Sequence, residues 1–196
     1  MLRRFLQLTG IGFLSLVAVF FILNWIFPLP DKIEYSTVIR DNNGEVIHAF
    51  LTSDQKWRMK TELEEISPIL QKTMVAKEDR HFYSHPGVNP FAVVRAAFYN
   101  LFSKRRNSGA STITMQVAKA LEPGRRKIWS KTREMFRAFQ LELKYSKKEI
   151  LQMYLNLVPY GSNIEGVKAA ALLYLKKDPD HLSLAEVTAL SVIPNK

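Results

Sequence analysis

The stretch Lys77 to Pro90, KEDRHFYSHPGVNP, gathers two carboxylates, two histidines and an arginine among aromatic residues. Glu78 is the residue in it best suited to chemistry. Leu70 and Met74 fall on one helical stripe, and Glu78 lies four residues further along it. That register puts the carboxylate at the margin of a buried face, where desolvation raises a carboxyl pKa as a general base needs. Asp79, about 100° further round the helix, is placed to cap or brace the turn. The plainer alternative is a surface ion-pair cluster of Glu78, Asp79 and Arg80, and spacing leaves both open. His81 and His85 stand at i, i+4, a possible metal pair, but no third ligand is evident. Pro86-Gly87 ends the helix there, so His85 reads better as a hydrogen-bonding group at a helix end. Phe82 and Tyr83 read as core.

A second stretch, Gly109 to Lys119 (GASTITMQVAK), follows about twenty residues later. Gly109-Ala-Ser-Thr112 offers flexible backbone and hydroxyls at the opening of a helix that runs through Lys119. Free N–H groups at such an end can hold an anion. Gln116 and Lys119 lie one turn apart on one face. Ser111 has no histidine in an activating context, which weakens it as a nucleophile and leaves a plain N-cap as the other reading. Lys131 and Glu134, at i, i+3, share a helical face and make a pair that on a surface stabilises by only about a few tenths of a kcal/mol. Ser53-Asp-Gln-Lys56 spells S-x-x-K, but the companion motifs of acylating serine enzymes are missing, so it reads as coincidence.

Charge narrows the partners. The chain of 196 residues carries a net charge of +10. Between Lys104 and Lys148 stand 13 Lys and Arg against 3 Glu, so the excess sits in one segment. A concentrated basic surface attracts nucleic acid, anionic lipid headgroups or phosphorylated substrates, unless it is merely a solvated helical face. Cysteine is absent, which excludes disulfides, thiolate zinc sites and a cysteine nucleophile.

The elements that must position these residues can be read in order. Residues 1–4 form a short tail with Arg3 and Arg4. Phe5 to Phe27 is uncharged and long enough to span a bilayer, where about 20 apolar residues suffice. The arginines predict a cytoplasmic N-terminus and an uncleaved signal anchor, in preference to a cleaved signal peptide. A remainder outside the cytoplasm makes anionic lipid a better partner than nucleic acid. Residues 28–66 read as a juxtamembrane linker with a β-hairpin turning at Asp41-Asn-Asn-Gly44. From there the pattern is nearly all helical. One helix starts at Ser67-Pro68 and another spans Phe91 to Phe102, followed by a mobile basic loop over Ser103 to Ser108. A long helix covers Trp129 to Tyr145, with Met135, Phe136, Phe139 and Leu143 inward. Ser146 and Glu149 form a capping-box pattern before a helix with Ile150, Leu151, Tyr154 and Leu155 inward, ended by Asn156 and Gly161. Gly166 to Tyr174 and Leu184 to Val192 are two more helices, the last opened by Ser183 and Glu186.

On these residues the sequence resembles the peptidoglycan glycosyltransferases, the transglycosylase domains of class A penicillin-binding proteins and their monofunctional relatives. A first motif, E-D-x-x-F-x-x-H-x-G, is met by Glu78, Asp79, Phe82, His85 and Gly87. A second, G-x-S-T-[IL]-T-x-Q-x-x-K, is met by Gly109, Ser111, Thr112, Ile113, Thr114, Gln116 and Lys119. KKEILQMYLNLVPYG meets the fourth, with Lys148, Ile150, Leu151, Tyr154, Leu155, Asn156 and Gly161. The third, R-K-x-x-E, is met in part: Lys131 and Glu134 fit, but Ser130 replaces the arginine. The HPGVNPFA run, Met115-Gln116 and that weakened third motif resemble the C-type branch.

The resemblance implies a mainly α, lysozyme-like glycosyltransferase domain over residues 67–196, with a mobile jaw, a small β-hairpin and an N-terminal transmembrane helix. The chain stops at Pro194-Asn-Lys196, earlier than the family pattern, and is expected to be C-terminally incomplete with no transpeptidase domain. The implied reaction polymerises lipid II with inversion and releases undecaprenyl pyrophosphate. Glu78 would be the base and Glu134 the second catalytic carboxylate. Asp79, Phe82, His85, Gly87, Ser111, Thr112, Thr114, Gln116, Lys119, Lys131 and Asn156 would bind substrate, with Lys119 and Lys131 on the diphosphate. Ser130 removes a bidentate phosphate clamp, for which Arg133 or Arg126 would substitute. No cofactor is required, and Mg2+ or Mn2+ near Glu134 is the one divalent ion implied. The implied place is the bacterial inner membrane, facing outward, with lipid II and growing glycan as partners and a separate transpeptidase or other cell-wall machinery beside it. Two rivals remain: a lytic muramidase, which would not need the cationic strip, and a non-catalytic membrane-anchored scaffold.

Overall fold

A computed structural model of the chain describes residues 2–44, 46–95, 111–123 and 128–195. They divide into two units, Met1–Asp31 and Lys32–Lys196. The first unit is built on one helix, α1 (Leu2–Ile26). Its 18-residue window Thr9–Ile26 has a mean hydropathy of 2.0, long and apolar enough to cross a membrane.

The second unit opens with an antiparallel hairpin, β1 (Val38–Arg40) against β2 (Val46–Ala49), in which Ile39 faces His48. The Asp41 carboxylate accepts from the Asn43 amide at 2.9 Å and its carbonyl from Gly44 at 3.0 Å, which closes the expected turn. A second sheet has no counterpart in the sequence reading: β3 (Trp57–Arg58) runs parallel to β4 (Ile164–Glu165). The buried Arg58 guanidinium crosses it, donating to Glu165 at 2.9 and 2.6 Å and to Asp54 at 2.9 Å.

Helices make up the rest, as the patterning predicts. They are α2 (Pro68–Glu78), α3 (described over residues 90–95), α4 (Ile113–Leu121), α5 (Ile128–Lys144), α6 (Lys147–Leu157), α7 (Val167–Ala170) and α8 (Leu184–Val192). A π-helical turn, Ala171–Leu175, continues α7. α4 packs against α5 and α6, and α2 against α8. The core they enclose includes Leu70, Met74, Ile113, Val117, Leu141, Ile150, Leu151, Leu155, Val187 and Leu190, each at most 1% exposed. Burying each such side chain stabilises by about 1.5–3 kcal/mol. α7 follows β4 through Gly166 at φ 84°, where a Cβ would sit 2.6 Å from the Asn156 carbonyl oxygen, so only glycine fits.

Several local expectations are corrected. α2 ends at Glu78, well short of Pro86, because Asp79 leaves helical geometry and a 3-10 turn, Phe82–Ser84, follows. In that tight turn Phe82 is fully buried while Tyr83 is 63% exposed and outside the core. α4 starts at Ile113, and Thr112, not Ser111, caps it by accepting from the Met115 amide at 3.1 Å. On α5 Arg137, Ala138, Gln140 and Leu141 are buried and Met135 packs inward as expected, whereas Phe139 and Leu143 are 38% and 65% exposed. Gly87 packs on the Ala138 turn at φ 84°, where a Cβ would meet Glu142 Cγ at 2.8 Å and the Ala138 carbonyl oxygen at 3.0 Å, so glycine is needed at position 87. The remainder of the Phe91–Phe102 helix, the Ser103–Ser108 loop, Gly109 and Arg126 lie outside the described residues.

Candidate active site

Glu78 is the last residue of α2, and its side chain is 7% exposed. Its Oε2 accepts from Gln116 Nε2 at 3.0 Å, and Lys77 Nζ lies 3.8 Å from Oε1. The one-turn register that put Glu78 beside Leu70 and Met74 thus delivers it to the edge of the core, and α4 delivers its partner. Arg80 takes no part in holding it, and Asp79 is engaged elsewhere, so the surface ion-pair reading does not describe this carboxylate.

Two cavities meet at Glu78. The first, about 600 Å³, is lined by Lys77, Glu78, Ser111, Gln116, Lys119 and Glu134, with Tyr154 and Pro159 on the far wall. The second, about 460 Å³, is lined by Glu78, Asp79, Arg80, His81, Arg95 and Ser111 among others. Glu78 and Ser111 border both. Lys131 Nζ donates to Ser111 Oγ and to Glu134 Oε2 at 2.9 Å, so the Lys131–Glu134 pair is seated at the groove and not on a remote face.

A packed seat lies beneath. His85 Nε2 stands 3.0 Å from both oxygens of Asp79, a forked contact in which the ring N–H donates. Asp79 Oδ2 also accepts from the Ile113 amide at 3.1 Å. Thr112 Oγ1 donates to the Gly87 carbonyl, and Thr114 Oγ1 to Glu142 at 2.6 Å. Lys147 bonds both Glu142 and the His85 carbonyl at 2.7 Å, with its ammonium 4.5 Å from the Phe82 ring centre. These bonds correct the idea of a free anion site at the start of α4, since Asp79 and Thr112 already occupy amides of its first turn.

Of the residues expected to bind substrate, Ser111, Gln116 and Lys119 border the first cavity, and Asp79, Ser111 and Thr112 the second. Lys131 reaches the groove through Ser111 and Glu134. Phe82, His85, Gly87 and Thr114 border neither and instead build the seat. Asn156 is corrected most plainly: fully buried, it clamps Thr61 by bonds of 2.9 Å to its amide and its carbonyl. Arg133, the expected substitute for the missing clamp, donates from Nη1 to Glu122 at 3.1 Å and does not line either cavity. Ser53 bonds Glu34 and Lys56 pairs with Glu165, so the S-x-x-K string forms no dyad.

Two tyrosines escaped the sequence reading as site residues. Tyr154 and Tyr160 are each 2% exposed, with hydroxyls that find no hydrogen-bond partner among the described residues. Burial, then the nearby Glu78 charge, pushes both phenols well above their ordinary range, which keeps them neutral. Lys77 was visible at the head of the motif but carried no assignment. Only the fold shows that it reaches the carboxylate next to it.

A family profile described as Transglycosylase matches residues 43–196, which include every residue of the groove. The chain belongs to the transglycosylase family. It is 42% identical over 170 residues to penicillin-binding protein 1C of Escherichia coli strain K12, covering 86% of this chain and 22% of that protein. Penicillin-binding protein 1A of the same strain is 37% identical over 165 residues, covering 83% of this chain and 19% of that protein. Penicillin-binding protein 4 of Bacillus subtilis strain 168 is 34% identical over 156 residues, covering 79% and 25%. The C-type likeness read from the motifs agrees with the first of these. This transglycosylase chain spans about a fifth to a quarter of the length of those relatives.

Proposed function

We propose that this transglycosylase polymerises lipid II into glycan strands, with Glu78 as general base. The observation that carries the reading is the position of Glu78 at the junction of two cavities, one bordered by Lys77 and Lys119 and the other by Arg80 and Arg95. Two lipid-linked sugar chains can meet there at one carboxylate. Glu78 takes the proton of the acceptor's 4-hydroxyl as that oxygen bonds to the donor's anomeric carbon. The bond from that carbon to the diphosphate breaks on the opposite face, which inverts the configuration and releases undecaprenyl diphosphate. Lys119 and Lys131 offset the negative charge that grows on the leaving group, and Ser111 and Glu134 fix the Lys131 ammonium. Gln116 orients the base.

Among the described residues no three His, Asp or Glu side chains stand together as a metal cluster. Glu134 alone offers the kind of single-carboxylate site that takes Mg2+ or Mn2+ only together with phosphate oxygens. The reading places α1 across the inner membrane with Arg3 and Arg4 in the cytoplasm and the second unit outside, where lipid II and a separate transpeptidase or other cell-wall machinery would meet it.

Incubating the purified full chain with labelled lipid II tests this. Glycan polymer and released undecaprenyl diphosphate are expected, with Glu78→Gln slower by at least about 10²-fold, the lower range for loss of a general base. Soluble muropeptides released from finished sacculi, without polymer, would point to a lytic enzyme instead.

A further inference from the structure

Glu78 occupies an awkward place for a negative charge. It closes α2, at the end where the helix dipole is itself negative. A second helix also ends nearby: the Ser191 carbonyl, in the last turn of α8, accepts a hydrogen bond from Lys77 Nζ. Lys77 therefore stands between a helix C-terminus and the carboxylate. Its Nζ lies 3.8 Å from Glu78 Oε1, too long for a hydrogen bond but suited to an ion pair. The other oxygen, Oε2, is held by the neutral Gln116 amide. The two phenols that face Glu78, Tyr154 on α6 and Tyr160 just beyond it, are neutral. Lys119 on α4 and Glu134 on α5 line the same cavity as Lys77 and Glu78.

We infer that Lys77 is a positioning residue for Glu78, tying the orientation and charge of that carboxylate to the end of α8. The inference rests on the reading of Glu78 as the base. Two negative helix ends disfavour the ionised carboxylate, and the Lys77 ammonium offsets both at once. The bond to Ser191 fixes where that ammonium sits, because a free lysine carries several rotatable bonds and would point into the open groove. Gln116 then holds Oε2 from α4 while Lys77 faces Oε1 from the α8 side. Packing of α2 on α8 thereby becomes part of the geometry of the base.

Lys77→Met keeps the length of the side chain and removes its charge. Lys77→Arg keeps the charge and the donors. Both are measured in the full chain in detergent, with lipid II as substrate and glutamate 13C-labelled at the side-chain carboxyl carbon. Lys77→Met should lower kcat roughly tenfold, a modest fraction of what mispositioning a reacting group can cost, and change KM by less than about threefold. Lys77→Arg should recover most of kcat. The Glu78 carboxyl signal, assigned by its loss in Glu78→Gln, should be displaced at fixed pH in Lys77→Met and return toward its parent position in Lys77→Arg, since it reports the cation held 3.8 Å from Oε1. Unchanged kcat in Lys77→Met would overturn the inference. So would a raised KM with kcat intact, which marks a lysine that binds substrate instead. An unmoved Glu78 carboxyl signal overturns it even if the parent makes no polymer, whereas a parent without polymer and with the expected displacement of that signal overturns only the lipid II reading.

Discussion

Removing the Asp79 carboxylate would strand two buried donors at once. The His85 ring N–H and the Ile113 amide both bond it, and Asp79 and His85 are each 7% exposed. Leaving buried donors unsatisfied costs about 1–3 kcal/mol each, so Asp79→Ala should lose roughly 2–6 kcal/mol in urea unfolding. Tyr154→Phe is the contrast. That hydroxyl is buried with no hydrogen-bond partner among the described residues, so deleting it should leave stability within about 1 kcal/mol of the parent. Equal losses for the two variants would show that the seat under Glu78 is not held by Asp79. The same residues mark what a sequence can disclose at this scale. Glu78 and Gln116 were legible because helical period fixes which face each one takes. Asp79 reaches Ile113 across 34 positions, and no periodicity links a loop carboxylate to an amide that far along the chain.

At the scale of elements, local chemistry was legible and tertiary chemistry was not. Ser146 with Glu149 and Ser183 with Glu186 form capping boxes as their spacing predicts, because every group involved lies within one turn. Pro86 predicts a later end for α2 than the structure has, because Asp79 leaves the helix to bond groups from two other elements. The α8 box makes a prediction of its own. The Lys177 ammonium, then the Ser183 amide and hydroxyl, hold the exposed Glu186 carboxyl down to about 2. A carboxyl depressed in the folded state stabilises above its unfolded value, and that contribution is lost as pH falls through the folded one. Protection of the first-turn amides of α8 should therefore hold near neutrality and decline between about pH 4.5 and about pH 2. Hydrogen exchange on the parent and on Glu186→Gln would check it. The variant should start less protected and show no further loss in that window. A parent that keeps full protection below the window would remove the box as a stabiliser of α8.

At the scale of the whole molecule, the segment ahead of the helices is sewn into them by contacts that span about half the chain. Arg58 and Glu165 are 107 positions apart, Glu65 and Lys168 are 103 apart, and Thr61 and Asn156 are 95 apart. None has a signature in composition or period, and two-residue strands such as β3 and β4 carry no alternation to read. Residues 28–66 therefore read as a linker, although their last third closes the floor of the helical unit. A chain beginning at Ser67 keeps every helix from α2 to α8 but loses all three contacts. Asn156, fully buried, would lose both bonds to Thr61, at about 1–3 kcal/mol for each stranded group. Breaking the Arg58–Glu165 pair, whose side chains are 9% and 15% exposed, would cost about 3–5 kcal/mol if it behaves as a buried pair. Those losses rival the roughly 5–15 kcal/mol by which a domain is stable at all. Residues 32–196 should accordingly unfold in one cooperative urea transition, while residues 67–196 should show a much lower midpoint or no transition. Matching midpoints for the two would mean that the helices carry the fold alone and that the strands and their ion pairs are ornaments on it.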